Sequence, residues 1–339
     1  MPDPVAGLIR TMSPREKIGQ LIMAGFDTPA EAVRLIRDLR LGGVILFKRN
    51  IATEEQTAQD IATLQQAVAS GLPPLFVAVD QEGGRVSRLP ASSGPFPSAR
   101  SIGDRQDPQL AYQAGLDTGR ILLRLGFNMN LAPVLDIASN PQNTVIGTRA
   151  FGTTAEAVIA AGLPFMNGLE ASGILAAVKH FPGHGDTRID SHVALPVVDK
   201  SMAQLHLLEL RPFAEAIAQN AALIMVAHLV LSELDNRPAS LSPLVVDGLL
   251  RDEMGYAGVV ITDDLIMGAI SQYVTIGEAA VLAVLAGCDI ILVGAGSANL
   301  QAVHAALLDA LHNGRLSQER LDLSLARILL LKRRLGASG

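Results

Sequence analysis

The sequence predicts a single (β/α)8 barrel. Eight short apolar runs recur along the chain, stretches with helical apolar spacing lie between them, and no Pro-, Ser- or Gly-rich linker splits the 339 residues. Short apolar runs alternating with helices mark a parallel sheet covered on both faces. Such a barrel takes about 250 residues, which leaves the rest for loops and terminal helices. The expected domain is one barrel over 1–339, with an open doubly wound sheet as the alternative fold.

The runs fall at 21–26, 43–47, 75–79, 127–134, 174–179, 223–227, 259–262 and 289–293. Residues 1–13 show no clear pattern, and a short entry helix is expected at 14–19. The stretch 30–39 places Val33, Ile36 and Leu39 roughly on one face, and 54–69 does the same with Ile61, Leu64 and Val68. Further helices are expected at 108–125, 155–171, 202–219, 244–254, 276–286 and 298–312, with a closing helix at 317–335. Thr53, with Gln56 three positions on, reads as a capping box, and Gly71, Gly126, Gly173, Gly255 and Gly314 stand where helices should stop. The basic end Lys332-Arg333-Arg334 reads as a cation cluster favourable to the helix dipole.

Composition narrows the partners. With 49% apolar and 18% charged residues the chain can bury a large core, and its mean hydropathy of +0.33 lies far from that of disordered segments. A formal charge of −6 and the lack of a Lys/Arg-rich run argue against nucleic acid, and the absence of Trp with only three Tyr leaves few stacking platforms. The longest apolar stretches, such as 281–296, are broken by Asp289 and glycines, so no membrane span is expected. Charged residues from Asp3 to Lys17 leave no room for a signal-peptide core, which points to the cytoplasm. The single cysteine, Cys288, sits among apolar neighbours and reads as a buried, inert thiol. A monomer is the default expectation.

In a barrel of this class the chemistry sits at the C-terminal ends of the strands. Polar residues crowd those positions here: Asp80 to Arg85 after the third run, Asp136 after the fourth, Lys179 and His180 at the fifth, His228 after the sixth, Asp263 and Asp264 after the seventh. Beyond the fifth run, three of the seven histidines fall within 13 residues, at His180, His184 and His192. Pro182 and Gly183 prevent the helix that would aim His180 and His184 at one zinc ion. Asp190 and His192 stand two apart, so in an extended segment they share a side, where the carboxylate could orient the imidazole and raise its pKa for general acid work. The plainer reading is that the pair ties down a loop. Asp263 and Asp264 are adjacent, so alternation aims at most one at the barrel mouth, as a nucleophile, base or ligand, while the other caps or holds a loop; both as charges at a helix start is the plain reading.

These residues resemble a known family. The stretch 249–264 is similar to the nucleophile signature of glycoside hydrolase family 3, and 179–192 resembles the histidine-bearing loop of its bacterial β-N-acetylglucosaminidase branch. Further matches are Asp80-Gln81-Glu82-Gly83-Gly84-Arg85-Val86 with Arg88, the stretch 145–152 around Arg149, and the entry-helix ending Ile18-Gly19-Gln20-Leu21, so the similarity covers essentially the whole chain. The resemblance implies Asp263 as nucleophile, His192 as acid/base and Asp190 as its partner. It also implies that Asp80, Arg88, Arg149, Lys179 and His180 hold an N-acetylglucosamine unit beside the scissile bond. No metal and no cofactor is required. Many relatives carry an additional α/β domain that supplies a carboxylate acid; the length here is expected to fit the branch that uses a loop histidine instead.

The function so implied is a retaining β-N-acetylhexosaminidase acting on small carbohydrate fragments of peptidoglycan, N-acetylglucosamine linked to anhydro-N-acetylmuramic acid or its peptides. Three alternatives remain open at the level of sequence. A neutral acid in place of an anionic one would admit phosphate, and hence a phosphorylase. A metal-dependent barrel hydrolase would use His180, His184, His228 and an aspartate. A non-catalytic sugar-binding protein would keep Arg149 and Lys179 without needing Asp263 and His192.

Overall fold

The computed structural model describes residues 4–187 and 195–336. Ten strands form among them: β1 (Ile22–Gly25), β2 (Gly43–Leu46), β3 (Phe76–Val79), β4 (Met129–Asn130), β5 (Leu175–Phe181), β6 (Val197–Val198), β7 (Leu223–Val226), β8 (Val230–Leu231), β9 (Val259–Thr262) and β10 (Ile291–Val293). Eight of them make one parallel sheet in the order β10-β1-β2-β3-β4-β5-β7-β9, while β6 and β8 pair apart from it. The Ile261–Ile290 bridge, with Thr262 donating to Ile290 and Leu265 to Leu292, joins β9 to β10 and closes the ring. The fold is therefore a (β/α)8 barrel, and closure excludes the open doubly wound sheet. All eight barrel strands fall on the eight expected runs, and every residue in them is buried, as strands covered on both faces require.

Local chemistry sets most helix limits. Ser13 and Glu16 form a reciprocal capping box on Pro14–Gln20, and Thr28, Asp107, Thr154 and Thr275 cap the helices that follow them. At Thr53 only half of the expected box forms: the threonine accepts from the Gln56 N–H, but the Gln56 side chain donates to Asp60 at 2.9 Å, one turn further on. The five glycines expected as stops all take positive φ, between 73° and 96°.

Four expectations need correction. The expected helix 202–219 is two, Met202–Leu207 and Arg211–Ala218, because Leu208 leaves helical dihedrals and Pro212 restarts the helix where no N–H is needed. The run 127–134 pairs as a regular strand only at Met129–Asn130, since Pro133 has no N–H to give the ladder. Residues Pro4–Thr11, where no pattern was evident, form a helix. Lys332 is not a surface cation. It turns inward, donates to Gln20 Oε1 and the Gly42 carbonyl at 2.8 Å each, and lies 4.9 Å from the centre of the Phe76 ring. Of its neighbours, Arg334 pairs with Glu170 and Arg333 is exposed.

Cys288 is fully buried, and burial pushes its thiol up to about 12, so the inert thiol read from sequence holds. Among the described residues no helix is long and apolar enough to cross a membrane.

Candidate active site

A cavity of ≈ 440 Å³ opens at the C-terminal ends of the barrel strands, within the roughly 300–1,000 Å³ usual for small-molecule sites. Asp80, Arg88, Arg149, Lys179, His180 and Asp263 all line it. Its apolar lining includes Ile45, Leu131, Met225 and Leu292, which follow from the hydrophobic strands that build it.

The polar wall is a single network of charges. Lys179 Nζ lies 2.7 Å from both Asp80 Oδ1 and Glu82 Oε1. Arg149 meets Glu82 through two parallel bonds of 2.8 Å, Nε to Oε2 and Nη2 to Oε1. Such a fork fixes the guanidinium plane as well as its charge. Burial pushes the Glu82 carboxyl up, but Lys179 and Arg149 outweigh it and hold the group well below the usual carboxylate range. Burial likewise opposes the charges of Lys179 and Arg149, and the carboxylates beside them win, raising both pKa values. Arg88 stands further off, 3.9 Å from Asp80, with its backbone N–H held by Gln81 at 2.8 Å.

His180 is clamped between two partners. Its Nδ1 lies 2.5 Å from Asp136 Oδ2 and its Nε2 3.2 Å from Arg149 Nη2. The guanidinium can only donate, so Nε2 is the acceptor and Nδ1 carries the hydrogen given to Asp136. The other Asp136 oxygen accepts the His184 N–H at 2.6 Å, which draws the start of the following loop onto the same buried carboxylate. Lys179 and His180 both line the cavity because the β5 ladder shifts register between Val178 and Phe181, which breaks the two-sided alternation of a regular strand.

Asp263 follows β9 directly. It opens onto the cavity and is otherwise enclosed; burial pushes its carboxyl up, yet the polar groups around it, the Asp264 N–H and Lys179 among them, hold it below the usual range. The Asp264 N–H donates to Asp263 Oδ1 at 2.8 Å. Asp264 behaves oppositely: burial raises it to about 6, although it accepts from the Gly294 and Ile266 N–H groups. Of the two adjacent carboxyls, Asp263 is thus the one that ionises first and Asp264 the one that takes a proton first as pH falls.

Comparison with known proteins places this site in context. The family described as Glycosyl hydrolase family 3 N terminal domain matches residues 13–331. The chain belongs to this family. It is 38% identical over 335 residues to beta-hexosaminidase A of Pseudoalteromonas piscicida, covering 91% of this chain and 56% of that protein. It is 35% identical over 339 residues to beta-hexosaminidase LpqI of Mycobacterium tuberculosis (strain ATCC 25618 / H37Rv), covering 96% of this chain and 84% of that one. The structure of a glycoside hydrolase family 3 β-N-acetylglucosaminidase from Paenibacillus sp. str. FPU-7 superposes with a TM-score of 0.94 at 45% identity, over 97% of this chain and 64% of that chain. The chain thus spans a little over half of the Pseudoalteromonas relative and about two thirds of the Paenibacillus protein.

For this family 3 chain the sequence reading named six cavity residues that the fold brings together and two, Asp190 and His192, that lie outside the described residues. Glu82 and Asp136, the two buried carboxylates that hold Arg149, Lys179 and His180, stand among the expected strand-end polar residues but were given no role there. Signals for both existed: Glu82 sits inside the Asp80 to Val86 motif, and Asp136 follows a strand run. Both Asp263 and Asp264 line the cavity, since past Thr262 the strand has ended and alternation no longer applies, but the Asp264 carboxyl holds the backbone of Ile266 and Gly294, the loop-holding role expected of one of the pair. The metal reading finds little room. His180 and His228 already use both ring nitrogens on protein partners, and among the described residues no three His, Cys, Asp or Glu converge on one point.

Proposed function

We propose that the protein is a retaining β-N-acetylhexosaminidase, one catalytic barrel over 1–339, that removes terminal β-linked N-acetylglucosamine from small peptidoglycan fragments in the cytoplasm. The observation that carries the reading is Asp263: an anionic carboxylate at a strand end, facing a cavity walled by sugar-hydroxyl donors and acceptors. The hexosaminidase and β-N-acetylglucosaminidase relatives support the same choice over a phosphorylase.

In this reading Arg149, Lys179, Arg88, His180 and Asp80 hold the ring hydroxyls and fix the anomeric carbon against Asp263. An Asp263 oxygen bonds to that carbon as the glycosidic bond breaks, and the departing oxygen takes a proton from His192, oriented by Asp190. Water then gives a proton back to His192 and its oxygen replaces Asp263 on the anomeric carbon, with net retention. A histidine suits the role because its ordinary pKa lies near neutrality.

The test is turnover of an aryl N-acetyl-β-glucosaminide. Asp263→Asn should lower kcat by at least about 10³-fold with the sugar still bound, since it removes the nucleophile that forms the covalent intermediate. Wild-type rates in that variant would overturn the assignment, and sugar 1-phosphate formed on adding phosphate would favour the phosphorylase. For His192→Ala the loss should be much greater with poor leaving groups than with good ones; equal losses would remove its role as acid.

A further inference from the structure

We infer that His228, set by Ser240, is a positioning residue that holds the nucleophile turn through the main chain of Asp264. The inference rests on the reading of Asp263 as nucleophile. His228 follows β7 and is fully buried, and both its ring nitrogens are engaged: Nε2 lies 3.0 Å from the Asp264 carbonyl oxygen and Nδ1 lies 2.7 Å from Ser240 Oγ. A carbonyl only accepts, so Nε2 carries the hydrogen; Nδ1 is then an acceptor, and the Ser240 hydroxyl donates to it. Burial lowers the imidazole pKa, which agrees with a ring that donates on one side and accepts on the other.

Asp264 is thereby gripped at both ends. Its carbonyl takes the His228 hydrogen and also the Met267 N–H at 3.0 Å, while its own N–H donates to Asp263 Oδ1 at 2.8 Å. Met267 lines the cavity, so one carbonyl oxygen ties the nucleophile turn to the wall of the sugar site. Asp263 is fixed from the other side by its N–H bond to the Val226 carbonyl at 2.9 Å, on the strand that leads to His228. With both neighbouring peptides held, the carboxylate meets the anomeric carbon in one orientation, and near-attack geometry of this kind governs the chemical step rather than substrate affinity. The arrangement Ser240, His228, Asp264 uses an oriented histidine to brace a peptide rather than to move a proton.

The test compares Ser240→Ala, His228→Gln and His228→Ala with wild type on 4-nitrophenyl N-acetyl-β-glucosaminide, alongside thermal melts and N-acetylglucosamine affinity. Losing one oriented hydrogen bond at the nucleophile turn should lower kcat about tenfold in Ser240→Ala and about a hundredfold in His228→Ala, with KM changed less than about twofold. His228→Gln, which can still present an N–H to Asp264, should recover part of the loss. A loss confined to KM, or unchanged kcat in a folded Ser240→Ala, would overturn the proposal. If His228→Ala does not fold, nitrogen-15 spectra of wild-type His228 decide: hydrogen on Nε2 is expected, and hydrogen on Nδ1 overturns it. Wild-type turnover in Asp263→Asn would instead remove the nucleophile reading on which the inference stands.

Discussion

Glu82 decides how the sugar-facing cations are held. It touches Lys179 and both edges of the Arg149 fork from a buried position, so one carboxylate ties the two cations together. Glu82→Gln keeps the shape and removes the charge, leaving two buried cations short of a partner. Breaking a buried ion pair costs about 3–5 kcal/mol when one partner is lost, and the retained amide oxygen should place this variant near the lower end. We expect a lower urea midpoint together with a fall of about 10²-fold in kcat/KM, read by denaturation and steady-state kinetics. A variant with wild-type stability and kinetics would show that the remaining partners, Asp80 for Lys179 and the Val145 carbonyl for Arg149, suffice to hold them. The motif containing Glu82 was legible in the sequence, but its role was not, because a carboxylate's use depends on which distant cations the fold brings to it.

At the scale of elements, the described part of the loop after β5 is a stem built into the barrel rim. Asn143 donates to the His184 carbonyl at 2.8 Å, Asn140 donates to the Asp186 carbonyl at 3.3 Å, and Lys200 bridges Asp186 at 3.0 Å and Glu209 at 2.5 Å. In 182–187 the glycines serve close packing. Gly185 sits so near the Ile137 carbonyl that a Cβ would collide with it. Gly185→Ala should therefore displace the stem, at a cost of about 1–3 kcal/mol from overpacking. Since His192 continues from this stem in the proposed mechanism, kcat for a phenyl glycoside should fall about tenfold more than kcat for a dinitrophenyl glycoside. Equal effects on the two substrates would separate the stem from proton transfer. The helix break at Leu208 and the half-formed box at Thr53 show the same limit of local patterning: spacing reveals that a helix exists, while competing partners such as Asp60 set its ends.

At the scale of the whole molecule, the closing helix Gln318–Gly336 reaches back to the start of the barrel through Lys332, which meets Gln20 and Gly42 from 312 and 290 residues away along the chain. Burial pushes its amine down to about 7, with neutral acceptors and an aromatic ring around it. Below pH 7 both folded and unfolded chains carry the proton, and the cost of burying it is fully present. Between about 7 and the ordinary lysine value near 10.4, the unfolded chain binds more protons, so stability should rise with pH by up to about 1.4 kcal/mol per unit. Wild type should accordingly gain stability relative to Lys332→Met between pH 7 and 10 in urea titrations; a constant difference would show that the lysine keeps its ordinary pKa. The sequence by itself determined the barrel, since eight buried strands need eight apolar runs, and it marked the strand ends where Asp80, Lys179, His180 and Asp263 stand. Only the tertiary structure decided which charges meet: Glu82 with Arg149, Asp136 with His180, His228 with the Asp264 carbonyl and Lys332 with the barrel start. Apolar burial is written residue by residue in local spacing, whereas an ion pair or a buried hydrogen bond depends on the distance between two groups that only chain closure sets.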